Sequence, residues 1–272
     1  MSASPDQDKS HQVQQIEQVR PKLDGRGRGI YLLPNLFTTA ALFAGFYAVI
    51  AAINNRFEHA AIAVLIAMVL DGLDGRIARL TNTMSAFGAE YDSLSDMVSF
   101  GLAPSLIMYE WSLHNVSRQG FGQAGWVAAF LFTACAALRL ARFNVQVGTA
   151  DKRFFRGLAS PAAACLLVCT VWVFHDNGFT GSQVTVLSMI VTIAAALLMV
   201  SNFRYYSFKD IGGNKRVPFF VMLMLVMVFV FTSLDPPAVL FSGFAIYALS
   251  GPAFDVVRWF KRRRRRIEPS SK

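Results

Sequence analysis

Apolar residues in this sequence do not alternate with polar ones. They run together in eight stretches, at roughly 30–52, 57–80, 86–111, 124–142, 158–175, 183–202, 217–232 and 237–257. A helix needs about 20 residues, at a rise of about 1.5 Å each, to cross about 30 Å of hydrocarbon. Stretches five and seven fall short of that length, which leaves a count of seven or eight. Backbone in lipid must satisfy its own hydrogen bonds, and no barrel-type alternation is present, so the stretches predict helices. The fold class expected is all-α: a polytopic membrane bundle of about eight transmembrane helices.

Residues 1–28 are polar and lack the apolar core of a cleavable signal peptide, so a disordered cytoplasmic N-terminus is expected. Residues 29–260 are expected to form one membrane domain, and 261–272 a polybasic cytoplasmic tail containing Lys261 to Arg266. Charge fixes the orientation. With eight spans and the N-terminus inside, all 26 Lys and Arg except Arg56 and Arg118 lie at cytoplasmic ends, as the positive-inside bias requires. Both termini are therefore expected in the cytoplasm, on a multi-pass membrane protein.

Composition adds two exclusions. The chain is 54% hydrophobic and only 16% charged, against about 25% charged in soluble domains, so lipid is the solvent. The net charge of +9 is concentrated beside apolar stretches, with no aromatic–basic platform for bases, so nucleic acid is not a partner. Three cysteines, all inside apolar stretches, read as buried apolar side chains rather than a disulfide framework.

The second and third stretches carry the chemistry. Asp71, Asp74, Gly75, Ala78 and Arg79 fall on one helix face, and Gly88, Asp92 and Asp96 on one face of the next helix. The turn near Thr81–Ser85 makes the two helices antiparallel neighbours, so both faces converge on one cavity at the cytoplasmic end. An Asp at membrane depth costs about 2.5–3.5 kcal/mol, so four together need a partner, a cavity or a metal. Hard oxygen donors suit Mg²⁺ or Mn²⁺, and a pair of ions suits phosphoryl chemistry. Gly75, Ala78 and Gly88 clear space beside the carboxylates, for a nucleotide or for a second helix.

The spacing D-x2-D-G-x2-A-R-x8-G-x3-D-x3-D is matched at every position, by Asp71, Asp74, Gly75, Ala78, Arg79, Gly88, Asp92 and Asp96. In this the chain resembles the CDP-alcohol phosphotransferases. The resemblance implies that Asp71, Asp74 and Asp92 hold one metal ion and Asp71, Asp92 and Asp96 a second. It implies that Gly75, Arg79, Ser85 and Gly88 contact the CDP moiety, and that Asp96 accepts the proton of the attacking alcohol. A homodimer is implied as well.

Further segments resemble the phosphatidylserine synthase branch: Leu138–Asn144, Gly157–Ala164 and Ser201–Lys209, with Ala159 where proline is expected. The activity implied is transfer of a phosphatidyl group from CDP-diacylglycerol to L-serine, giving phosphatidylserine and CMP. Arg139 and Arg142, three residues apart at the end of the fourth stretch, are candidates for the serine carboxylate, which arginine binds with two donors. They equally fit membrane anchors. Lys209 and Tyr205 are candidates to line the pocket. The alternatives are a sister enzyme that takes glycerol 3-phosphate or inositol, or a divalent-cation transporter, since intramembrane carboxylates also mark ion pathways.

Overall fold

A computed structural model describes residues 28–81, 83, 85–119, 122–146, 154–206 and 219–267. Its helices are α1 (Arg28–Ile53), α2 (Phe57–Leu80), α3 (Ala86–Asp96), α4 (Ala103–Trp111), α5 (Ala124–Gln146), α6 (Ser160–Asp176), α7 (Thr185–Val200), α8 (Phe219–Leu234) and α9 (Pro236–Ile267). A π-helical segment, Met97–Leu102, joins α3 to α4 without a break, so these helices form one rod in each of the eight apolar stretches. The expected segment 1–28 lies, but for Arg28, outside the described residues, as does Lys209. The basic block from Lys261 is no loose tail as far as Ile267, because α9 runs through it.

Among the described residues, three helical segments are long and apolar enough to cross a membrane by themselves: Leu33–Ile53, Ala124–Val145 and Pro236–Val256. Helices α6 and α7 are apolar but shorter, at 17 and 16 residues. Helix α6 is the central one, since twelve of its residues, from Ser160 to Trp172, are buried. Its neighbours include α2, α4 and α9. A stretch that is apolar all round is what a central position requires.

The most extensive pairing is α1 against α2. Its buried faces are Ala41, Ala44, Ala48, Ala51 and Ala52 on one side and Ala60, Ala61, Ala63, Val64 and Ala67 on the other. In lipid there is no hydrophobic drive between helices, and small side chains let backbones approach closely enough for dispersion to act. The same logic holds at Gly45, where a Cβ would stand 2.6 Å from Ser99 Oγ and 2.8 Å from Ser99 Cα. Serine hydroxyls fasten this seam: Ser95 donates to the Thr38 carbonyl and Ser99 to the Ala41 carbonyl, each at 3.2 Å.

Two features were not expected from the sequence. The third rod is not a uniform α-helix, because Met97–Leu102 widens into a π segment just after Asp96. Pro104 lies in the next turn and offers no N–H to the Phe100 carbonyl, while its ring crowds that carbonyl; a wider turn relieves both. The helical expectation also gains a two-stranded antiparallel ribbon, β1 (Phe154–Arg156) and β2 (Arg204–Tyr206), with Phe155 opposite Tyr205. Gly157 follows β1 at φ +82°, a left-handed conformation that glycine adopts without strain. Its N–H donates to the Phe203 carbonyl at 2.9 Å, and that of Leu158 to the Leu198 carbonyl at 3.0 Å. These bonds tie the start of α6 to the end of α7.

Replacing Gly45 with valine should destabilise the protein by about 1–3 kcal/mol, the usual cost of overpacking. Gly243→Ala, where a Cβ meets nothing within 4 Å, should not. Thermal unfolding of the two variants in detergent measures this; equal midpoints would show that the α1–π contact is not tight.

Candidate active site

The antiparallel α2–α3 pair brings the two acidic faces together. One carboxylate oxygen from each of Asp71, Asp74 and Asp92 lies within 4.8 Å of the others. Asp96 completes the group, one turn on from Asp92 and with its carboxyl next to that of Asp71. Asp74 is buried and accepts a hydrogen bond from Thr38 Oγ1 at its Oδ2, 2.7 Å away. Asp92 Oδ1 is buried without a hydrogen-bond partner. A buried carboxylate oxygen without a donor is costly unless a ligand meets it. With three neighbouring carboxylates and only hard oxygen donors, the ligand that fits is a divalent cation.

The basic residues of the motif do not neutralise the cluster directly. Arg76 and Arg79 are both exposed, and Arg79 Nε donates to the Gly75 carbonyl at 2.7 Å. A Cβ on Gly75 would meet nothing within 4 Å. The space beside that glycine is open, so close helix packing is not its purpose. Gly88 differs, since a Cβ there would approach Ser85 Oγ at 3.0 Å and Asn35 Oδ1 at 3.4 Å. Ser85 caps α3 by accepting the Gly88 N–H at 3.0 Å. Arg79, Ser85 and Gly88 therefore lie at the end of α2 and the start of α3, around the connection between the two acidic helices.

The two arginines of α5 separate. Arg139 turns inward, where its Nη1 donates to Ser160 Oγ at 2.8 Å and its buried Nε has no partner. Its helix, α5, packs on the π segment that follows Asp96. Arg142 instead donates from Nη2 to Asn202 Oδ1 at 3.0 Å, at the end of α7. Tyr205, a candidate for the pocket wall, is fully buried against α9.

Thr38 is the residue that the sequence reading missed. Helix α1 looked like a plain apolar span, and nothing links position 38 to position 74 in one dimension. The available signal was the polar set Asn35, Thr38 and Thr39, three to four residues apart on one face of an apolar helix. The carboxylates of one turn-linked helix pair, gathered at one end of the bundle, do not form a path across it, as an ion pathway would require.

A sequence model of the CDP-alcohol phosphatidyltransferase domain matches residues 31–201, which contain all four aspartates. The chain belongs to the CDP-alcohol phosphatidyltransferase family. Among its relatives is a CDP-diacylglycerol–serine O-phosphatidyltransferase of Helicobacter pylori strain 26695, 39% identical over 230 residues, covering 85% of this chain and 92% of that protein. The enzyme of the same name from Mycobacterium tuberculosis strain H37Rv is 37% identical over 148 residues, 53% of this chain and 50% of that one. An archaetidylserine synthase of Methanothermobacter thermautotrophicus is 32% identical over 184 residues, 67% of this chain and 72% of that protein.

Thr38 sits behind Asp74 as an orienting partner. Its replacement by valine keeps the shape and removes the donor, and outer-shell changes of this kind cost about 10–100-fold in metal affinity. Mn²⁺ titration of the purified protein, read by electron paramagnetic resonance of the free ion, should show that loss. Unchanged affinity would mean Thr38 serves only the helix seam.

Proposed function

We propose that the protein transfers the phosphatidyl group of CDP-diacylglycerol to L-serine, releasing CMP. The observation that carries this is the convergence of Asp71, Asp74, Asp92 and Asp96 beside open space at Gly75. It stands in a family member whose H. pylori relative is named for this reaction. The four aspartates would hold two divalent cations, Mg²⁺ or Mn²⁺, which when bound neutralise the diphosphate and the departing CMP.

The chain's own groups do the rest. Arg79, exposed in the last turn of α2, and the backbone at Gly75, Ser85 and Gly88 receive the CDP moiety. Asp96 accepts the proton of the serine hydroxyl as its oxygen attacks the lipid-bearing phosphorus; the new O–P bond forms as the bond to CMP breaks. A carboxylate with a reference pKa near 3.9 is a weak base, but it acts when hydrogen-bonded to the attacking hydroxyl. Arg139 takes the serine carboxylate. Its Nη1 is held by Ser160, which leaves the side edge, with the unpartnered Nε–H, for two parallel bonds. Arg142, engaged by Asn202, supports this wall from the end of α7. The active site and both termini face the cytoplasm, the membrane is the cell's inner membrane, and the protein works as a homodimer. The catalytic unit spans residues 29–260, between polar ends at 1–28 and 261–272.

Purified protein with CDP-diacylglycerol, Mg²⁺ or Mn²⁺ and serine should release CMP in a serine-dependent manner. Release that depends on glycerol 3-phosphate or inositol instead would move the protein to a sister activity, and metal flux into liposomes without transfer would make it a transporter. Asp96→Asn should lower kcat by about 10²–10⁴-fold while CDP-lipid binding survives; a wild-type rate would remove Asp96 as the base. Arg139→Lys should raise the KM for serine by about 10-fold or more without a matching rise for the CDP-lipid. Equal rises would remove the carboxylate role.

A further inference from the structure

We infer that the ribbon and the last helix form a latch that tunes the acceptor pocket: Tyr205, seated on Gly251, anchors the ribbon that leads into Ser160, the partner of Arg139. This rests on the serine reading above and extends it to residues beyond 201, where the match to the family domain ends.

The latch follows from the backbone of α9. Pro252 lies inside this helix and has no N–H, so the carbonyl four residues earlier, that of Ala248, loses its helical donor. At membrane depth a freed carbonyl must find another partner. It finds Tyr205, whose hydroxyl donates to the Ala248 carbonyl at 2.9 Å. The ring of Tyr205 reaches that carbonyl only because residue 251 is glycine. A Cβ at Gly251 would collide with Tyr205 Cζ and stand 2.7 Å from both Cε atoms. Tyr205 is 0% exposed, the largest fully buried side chain among the described residues. Gly251 and Pro252 are thus a fitted socket, one residue supplying room and the next supplying the acceptor.

The socket's effect reaches the site through the ribbon. Tyr247 stands four residues before Gly251, on the same face of α9, and its ring centroid is 5.5 Å from that of Tyr205, at 47°, so the ring of Tyr205 is held from two sides by α9. Helix α9 packs on α6, α8 and β2, and β2 is paired to β1, which leads directly into α6 and Ser160, the Arg139 partner. The ribbon therefore couples the middle of α9 to the start of α6, which holds Arg139. Tyr205 and Gly251 are positioning residues that act on Arg139 through Ser160.

The full chain, purified in detergent, tests this with steady-state kinetics in which serine and CDP-diacylglycerol are varied separately. Gly251→Ala pushes the ring out of its socket, and Tyr205→Phe keeps the ring but deletes the tie to Ala248. Each should raise the KM for serine by about tenfold while the KM for CDP-diacylglycerol and kcat stay within about twofold. An unchanged KM for serine, or equal shifts for both substrates, would overturn the latch. If Gly251→Ala does not fold, Tyr205→Phe decides by the same criterion. A wild-type protein without serine-dependent CMP release would instead overturn the underlying functional reading, so the two failures are distinct.

Discussion

Four carboxylates crowded at one end of a helix bundle are the constraint on which the rest depends. Two unit charges 4 Å apart interact by about 4 kcal/mol at an effective dielectric of 20, and the oxygens of Asp71, Asp74 and Asp92 are held at comparable separations. The repulsion is tolerable only if a counter-charge is shared and the helices cannot move apart. The alanine seam between α1 and α2, the serine bonds from Ser95 and Ser99 to α1, and the Thr38 bond to Asp74 all act on this second requirement. They fix backbones rather than charges, so the site is in place before any ligand arrives.

The two halves of the chain divide the work. Helices α1 to α3 build the acidic group and the open space beside Gly75, the place proposed for the diphosphate. Helices α5 and α6 meet at Arg139, the group proposed for the amino-acid acceptor. Asp96 stands where the two regions join, because the π segment after it packs on α5. The π segment begins immediately after it. Such widened turns are found often at functional sites, and this one lets α3 carry its acidic face without committing the apolar half of the rod to the same register.

Much of this was legible in one dimension. The eight apolar stretches became eight helical rods, because a backbone in lipid has one local solution and apolar run length reports it directly. The convergence of Asp71, Asp74, Asp92 and Asp96 was legible because helical periodicity and a short connection leave two antiparallel helices little freedom. Other features were not. The bond from Thr38 to Asp74 spans 36 positions. The arginines at 139 and 142 read as equivalent, yet one donates to Ser160 and the other to Asn202.

The sequence by itself therefore determined the elements and the acidic group, since both arise from interactions within a turn or between adjacent helices. Tertiary structure alone decided the acceptor side: which arginine turns inward, and why Gly251 and Pro252 sit where they do. Those outcomes depend on how α9 and the ribbon pack against α6, between segments some 40 to 100 residues apart. No local periodicity encodes such packing. A glycine and a proline side by side look like a helix interruption until the tyrosine that fills the gap is seen.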